Sequence, residues 1–300
     1  MSYNYVNKGI MHTGSQNSNS GIYTRTLFGQ SIHENPVPVW TADKDHNSFV
    51  VFQDPTNGKL IGISKDMLSY GIITIAEPGG GKTNLLNMIT AMLLATQESN
   101  DKLIIFDTKG DYLREFGSRI PQDELIVVGT GEEYRDITSI PNIFAELMPR
   151  GLDGKLVYTD DSDTAALETA KQLFMKMQSE QQPVFPAMAE QVIAGCLIYF
   201  MRKYWCNVQD KLNNRDFLGF MTSSTNEDLK AVFESDGMED YRSCVNYISG
   251  KGNQTQGVSS YIGTVLRELF VGPFAQYIPE KEFSMREVVN SPGKKTVFIE

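Results

Sequence analysis

Three consecutive glycines, Gly79, Gly80 and Gly81, stand between an apolar run and the pair Lys82–Thr83, an order of residue types suited to holding phosphate groups. The phosphate-binding pattern is G-x-x-x-x-G-K-[ST]. Here it reads Ala76-Glu77-Pro78-Gly79-Gly80-Gly81-Lys82-Thr83, with Ala76 at the first glycine position. Glycines let successive backbone N–H groups turn inward as an anion-binding nest. A helix starting near Thr83 would aim its first N–H groups and the positive end of its dipole at the phosphates. The Lys82 ammonium can reach the β- and γ-phosphates, and the Thr83 hydroxyl can ligate Mg²⁺. The expected nucleotide-binding residues are Glu77, Pro78, Gly79, Gly80, Gly81, Lys82, Thr83 and Asn84, with Lys82 also a catalytic candidate and Thr83 the metal ligand. A tight turn that only joins two elements is the alternative. It would carry the entropy cost of three glycines and give no reason for Lys-Thr after them.

A second candidate is Asp107, which closes the apolar run "KLIIF". The carboxyl end of a strand is where open α/β sheets bind ligands. Asp107 could hold Mg²⁺ through water as the second acidic element of the site. It could instead sit on a neighbouring strand, or cap the short helix that follows.

These residues need elements to position them. An apolar strand at 71–76 leads into the glycine turn, and a helix follows from about Thr83 to Thr96. "DKLIIFD" reads as a second strand, "DYLREFG" as a short helix ended by Gly117, and "DELIVVG" as a third strand. This alternation marks an open, mostly parallel α/β sheet, and continuous apolar strands suggest cover on both faces. Upstream, "SFVVFQDPTNGKLIGI" reads as a hairpin, and residues 1–21 as a disordered polar tail. From about 160 to 290 the pattern turns helical. "TAALETAKQLFMKMQSEQ" places Ala166, Ala170, Phe174 and Met177 on one face, and Pro186 suits the first turn of the next helix. Ser224 and Glu227 have capping-box spacing. Residues 249–257 read as a polar loop carrying Lys251, and "QGVSSYIGTVLRELF" as one more helix. The expected division is 1–21 tail, 22–159 core with its hairpin, 160–290 helical insertion, and 291–300 a return strand of the core, cut short at Glu300.

Composition narrows the function classes. The chain has 300 residues and a net charge of −10, so any nucleic-acid contact must be a local basic patch rather than a basic surface. Cys196, Cys206 and Cys244 have no CxxC spacing, which suits a reducing compartment and argues against zinc. His12, His33 and His46 form no ligand pair. The N-terminus has no apolar signal region. The most apolar stretch, Val192–Met201, is ten residues long, against the ~20 of a membrane span. The expected place is the cytoplasm, with no direct membrane span and any membrane association made through partners.

The ordered set "AEPGGGKTNLL", "IIFDTKGDYLREF" and "IPNIFAEL" resembles the FtsK/HerA superfamily of ring-shaped DNA-pumping ATPases, and within it most the TraD-type coupling proteins of conjugation and type IV secretion. "PVFPAMAEQVIAGCLIYFM" is similar to the opening of that family's helical insertion, and "EFSMREVVNSPGKKTVFIE" to its closing segment. The likeness runs in order from about 70 to 300. Only the ordered set points to the family, since each motif after the glycine loop is weak alone. The resemblance implies a RecA-like P-loop NTPase core with an inserted all-helical domain, and ATP with Mg²⁺ as cofactors. It also implies a homo-hexamer with DNA in a central pore, and secretion or conjugation machinery as partners. It places Asp107 on the strand beside the P-loop, where it is kept as a catalytic and metal candidate. It puts the Walker B pair on a strand after the one ending at Glu300, and the family's membrane anchor has no counterpart here. Ring ATPases need an arginine that reaches the neighbouring subunit's γ-phosphate. Arg267 and Arg286 are candidates by position, with a surface salt bridge the plainer role for Arg267.

The first functional reading is therefore an ATP-hydrolysing DNA translocase or coupling motor. The second is a nucleotide-gated assembly or regulatory protein that does not move DNA, favoured by the acidic charge. A P-loop kinase or transferase would need a lid with convergent arginines, which the helical segment lacks.

Overall fold

A computed structural model of the chain describes residues 48–53, 58, 60–75, 77–177, 184–250 and 252–300. The expected N-terminal tail, the three histidines, Ala76 and Lys251 lie outside the described residues. The chain divides into two compact units, Met1–Gln97 and Glu98–Glu300. This boundary falls inside the expected core, and it keeps the parallel strands in one unit with the helices.

In the first unit, β1 (Ser48–Gln53) and β2 (Leu60–Ser64) pair antiparallel, with Val51 opposite Gly62 and Phe52 opposite Ile61. This is the expected hairpin. A short helix, α1 (Lys65–Leu68), follows it. The P-loop helix α2 (Lys82–Thr96) packs on β1, where Val50 is fully buried and the Val51 N–H donates to Met92 Sδ at 3.4 Å.

Of the strand expected at 71–76, the described residues 71–75 form none. Gly71–Ile75 carry no ladder pairing among the described residues, and Ile73 and Ile75 are 85% and 90% exposed. An apolar run becomes a strand only when a neighbour takes its N–H and C=O groups, and that neighbour is not a property of the run itself.

The second unit holds a parallel sheet of β3 (Lys102–Phe106), β4 (Leu125–Val128) and β7 (Lys295–Ile299), in the order β3-β7-β4. The return strand β7 is thus central, with Val297 and Phe298 fully buried. Helix α3 (Asp111–Phe116) connects β3 towards β4. The expected cover on both faces holds for β7 but not for β3. That strand is an edge of this sheet, and Ile104 and Phe106 are 38% and 75% exposed. After β4 come β5 (Ile140–Pro141), α4 (Ile143–Leu147), α5 (Asp160–Phe174), α6 (Val184–Tyr204), α7 (Asn214–Ser223), α8 (Asn226–Glu234), α9 (Val245–Ile248) and α10 (Asn253–Leu269). Then β6 (Glu282–Phe283), paired parallel with β5, and α11 (Met285–Asn290) lead back to β7. Arg150, beyond α4, pairs with Glu282 and Glu287 and ties this returning segment down.

Helix α6 is the axis of the helical part, with α5 and α10 packed along it. It presents Val192, Ala194, Cys196, Leu197, Ile198 and Met201, all fully buried. Phe200 packs edge-on against Phe217 with ring centroids 5.3 Å apart, and Phe144 stacks on it at 5.9 Å. Gly195 is needed for close approach, since a Cβ there would lie 2.5 Å from Phe233. Ala166, Ala170 and Phe174 are buried together on α5, as their spacing predicts, and Met177, just beyond the end of that helix, is buried as well.

Three local expectations are corrected. The capping box is Thr225 with Asp228, one residue after the Ser224–Glu227 pair. Both pairs have the spacing, and Thr225 is the residue directly before the first helical position, its hydroxyl accepting the Asp228 N–H while its own N–H donates to Asp228 Oδ2. Residues 253–257, read as loop, are the first turns of α10. Thr255 and Val258 already point into the core there, and continue as Ile262, Val265 and Leu266. The apolar stretch at Val192–Met201 is part of a longer helix. At 21 residues, α6 is long and apolar enough to cross a membrane by length and composition, yet most of its apolar part is buried inside the protein. It is a core helix.

Candidate nucleotide site

The glycine loop is shaped by its own backbone bonds. The carbonyl of Glu77 accepts the Gly80 N–H at 3.0 Å, closing a turn with Pro78 and Gly79 at its centre. Gly79 has φ +79°, so this is the pattern of a type II turn, proline first and a positive-φ glycine second. Gly81 has φ +78° and is the residue from which α2 starts, and its carbonyl accepts the Leu85 N–H. A Cβ at Gly79 or Gly81 would meet nothing within 4 Å. The positive φ, and not crowding, is what requires glycine.

Where α2 begins, no side chain caps its first N–H groups, and the first turn holds no acidic residue. These donors, with the positive end of the helix dipole, face outward as an anion site. Lys82 Nζ donates to the Glu77 carbonyl at 3.0 Å, so the ammonium already lies folded over the loop. Thr83 and Asn84 are exposed on the first turn. Geometry and donor set both fit the phosphates of a nucleotide and an accompanying cation. All the described members of the expected set, Glu77 to Asn84, fall on this one turn and helix start.

A second constellation lies at the carboxyl end of the parallel sheet. The Asp107 carboxylate is buried and accepts N–H bonds from Asp111 at 3.2 Å, Tyr112 at 2.7 Å and Leu113 at 3.0 Å. Its own N–H donates to Ile299 O. Asp107 is therefore engaged as the cap of α3, the structural alternative open from sequence. Gly110, φ +66°, makes the turn between them. A Cβ there would lie 2.5 Å from the Tyr134 hydroxyl, which donates to Glu300 Oε2 at 3.2 Å. Burial, then the nearby Asp107 charge, push the Glu300 carboxyl above its usual range, and Glu300 Oε1 is buried without a hydrogen-bond partner among the described residues. Tyr134 was not singled out from sequence. Only the chain reversal after β4 brings it over the sheet end, and no local pattern signals that.

The two arginine candidates are placed differently. Arg267 is exposed on α10 and donates to Thr264 Oγ1 at 3.3 Å, one turn back. Arg286, on α11, donates from Nη1 to the Glu146 carbonyl at 3.3 Å, and its N–H goes to Glu146 Oε2. Both are held by their own unit.

Comparison with known proteins adds three findings. The family described as the type IV secretion-system coupling protein DNA-binding domain matches residues 58–300. No curated protein matches the chain. Among solved structures, the plasmid coupling protein TrwB in complex with ADP and Mg²⁺ is similar at 16% identity and TM-score 0.56, over 80% of this chain and 49% of that one. The bacterial conjugative coupling protein TrwBdeltaN70 in an unbound monoclinic form is similar at 16% identity and TM-score 0.51, over 73% and 42%. A trigonal form of it in complex with sulphate gives 16% and 0.51, over 73% and 44%. The chain spans less than half the length of these structures. The likeness shows the fold: an α/β P-loop NTPase with a helical domain.

Proposed function

The chain belongs to the type IV secretion-system coupling protein family, and from that premise we propose that it is the nucleotide-binding part of a coupling motor that binds and hydrolyses ATP and drives DNA through a homo-hexameric ring. The observation that carries this reading is the glycine turn on the uncapped start of α2. The loop N–H groups and Lys82 hold the phosphates, Thr83 offers its hydroxyl to Mg²⁺, and Glu77 to Gly81 shape the nest. Bound ATP with Mg²⁺ supplies the phosphoanhydride whose cleavage drives the motor. TrwB, of the same fold, is known with ADP and Mg²⁺, which supports the same cofactors here. Asp107 acts by building the turn and helix at the sheet end, since its oxygens are committed to three backbone N–H groups. Arg267 is the better placed of the two arginines to act on a neighbouring subunit, being exposed. The protein works on the cytoplasmic side, next to secretion or conjugation machinery.

The test is binding of a fluorescent ATP analogue with Mg²⁺, then ATP turnover with and without double-stranded DNA, each beside Lys82→Ala. Loss of nucleotide affinity by at least about tenfold, ~1.4 kcal/mol, with folding intact, is expected for the variant. DNA should raise wild-type turnover severalfold. Binding that survives in Lys82→Ala overturns the site. Nucleotide-dependent assembly without DNA-dependent turnover replaces the motor by the regulatory reading.

A further inference from the structure

The second unit carries a groove of about 800 Å³ that the nucleotide chemistry does not use. It lies along α5, where Ala165, Glu168, Thr169, Gln172 and Leu173 line it at helical spacing. That stripe is adjacent to the buried one of Ala166, Ala170 and Phe174, so α5 presents one face to the core and a second to the groove. The floor is apolar, built by Ile143, Leu269, Phe270 and Phe274, and Val271 at its edge is 44% exposed. Three carboxylates line it. Glu146 is committed, accepting the N–H groups of Met285 and Arg286 at the start of α11. Glu168 on α5 and Glu268 on α10 are exposed and make no hydrogen bond or ion pair among the described residues.

We propose that this groove is a docking site for a short protein segment with an apolar or aromatic anchor flanked by Lys or Arg. The apolar floor would take the anchor, and Glu168 and Glu268 would pair with the flanking cations. The same two carboxylates repel phosphate, so the groove is not a path for DNA. The assignment is independent of nucleotide binding at Lys82.

The test uses the full chain and a fluorescent peptide with a central Leu-Phe-Leu flanked by lysines, beside a version flanked by glutamates and a labelled DNA duplex. Anisotropy should show saturable binding of the basic peptide only. The double variant Glu168→Lys/Glu268→Lys, whose side chains are exposed, should weaken it at least about tenfold, a ratio reached by reversing two screened rim charges. A second variant, Ala165→Phe, should block the groove and lower affinity without restoring binding of the acidic peptide. Thermal melting and ATP-analogue binding check that each variant is folded. No binding of the basic peptide, equal binding of the acidic one, unchanged affinity in both variants, or displacement of the peptide by DNA from the groove overturns the proposal.

Discussion

Helices α2 and α6 are both apolar on nearly every side, yet they end up in opposite settings. Of the 21 residues of α6, those from Val192 to Ile198 are continuously buried. None of the 15 residues of α2 is buried, and Met88 stands 51% exposed. Apolar composition decides that a segment seeks cover. It does not decide which element supplies the cover. α6 finds α5 and α10, each offering an apolar stripe at its own helical spacing. Among the described residues of its unit α2 finds a two-stranded hairpin, which can shield one line of side chains at most. The strand Lys102–Phe106 shows the same limit within the second unit, where Ile104 and Phe106 are 38% and 75% exposed among the described residues.

The contrast can be sharpened by truncation. Phe200→Ala in α6 removes a ring that touches Phe144, Phe217 and Phe220, and should cost about 3–5 kcal/mol, as aromatic deletions in packed cores do. Urea unfolding followed by tryptophan fluorescence measures it, and a cost below ~1 kcal/mol would mean the helical core is looser than described. Asp107→Ala leaves three N–H groups at the start of α3 without an acceptor and should cost about 1–3 kcal/mol. Asp107→Asn, which keeps one acceptor oxygen, should recover part of it. Full activity loss with no change in stability would instead point to a direct role in chemistry. Met88→Ala in α2 is the small end of the series, expected within about 0.5 kcal/mol, as for exposed sites. A loss near that of Phe200→Ala would show that α2 is as well covered as α6 and would end the comparison.

What could be read from sequence follows the reach of the signal. The glycine turn was legible because Gly79 and Gly81 answer a backbone demand set within four residues, and Lys82 and Thr83 follow by the geometry of a helix start. The buried face of α5 was legible because its spacing is local too. The strand at 71–76 was not, because pairing depends on a partner far along the chain. The capping box slipped by one residue because "SSTNED" satisfies the spacing in two registers. The start of α10 was hidden by polar residues, Asn253 to Gln256, that suit a loop as well as an exposed first turn. The role of Asp107 stayed open because a strand-ending carboxylate looks the same whether it caps a helix or faces a metal. Three N–H distances distinguish the two, and no residue type does.

The central position of β7 has a consequence for how the molecule is made. β3 and β4 share no bonds with each other and are joined only through β7, and the Gly293 N–H reaches back to Asn100 across 193 positions. At ribosomal rates of about 5–20 residues per second, roughly 10 to 40 s separate the emergence of β3 from that of its partner. During that interval the helices between them can form their local contacts, while two apolar strand edges wait unpaired. Closing a loop of that length adds little entropy beyond a shorter one. The hazard is therefore one of timing. A nascent chain of this protein carries its own aggregation-prone edges until β7 is inserted, and conditions that slow elongation between β4 and β7 should lower the soluble yield.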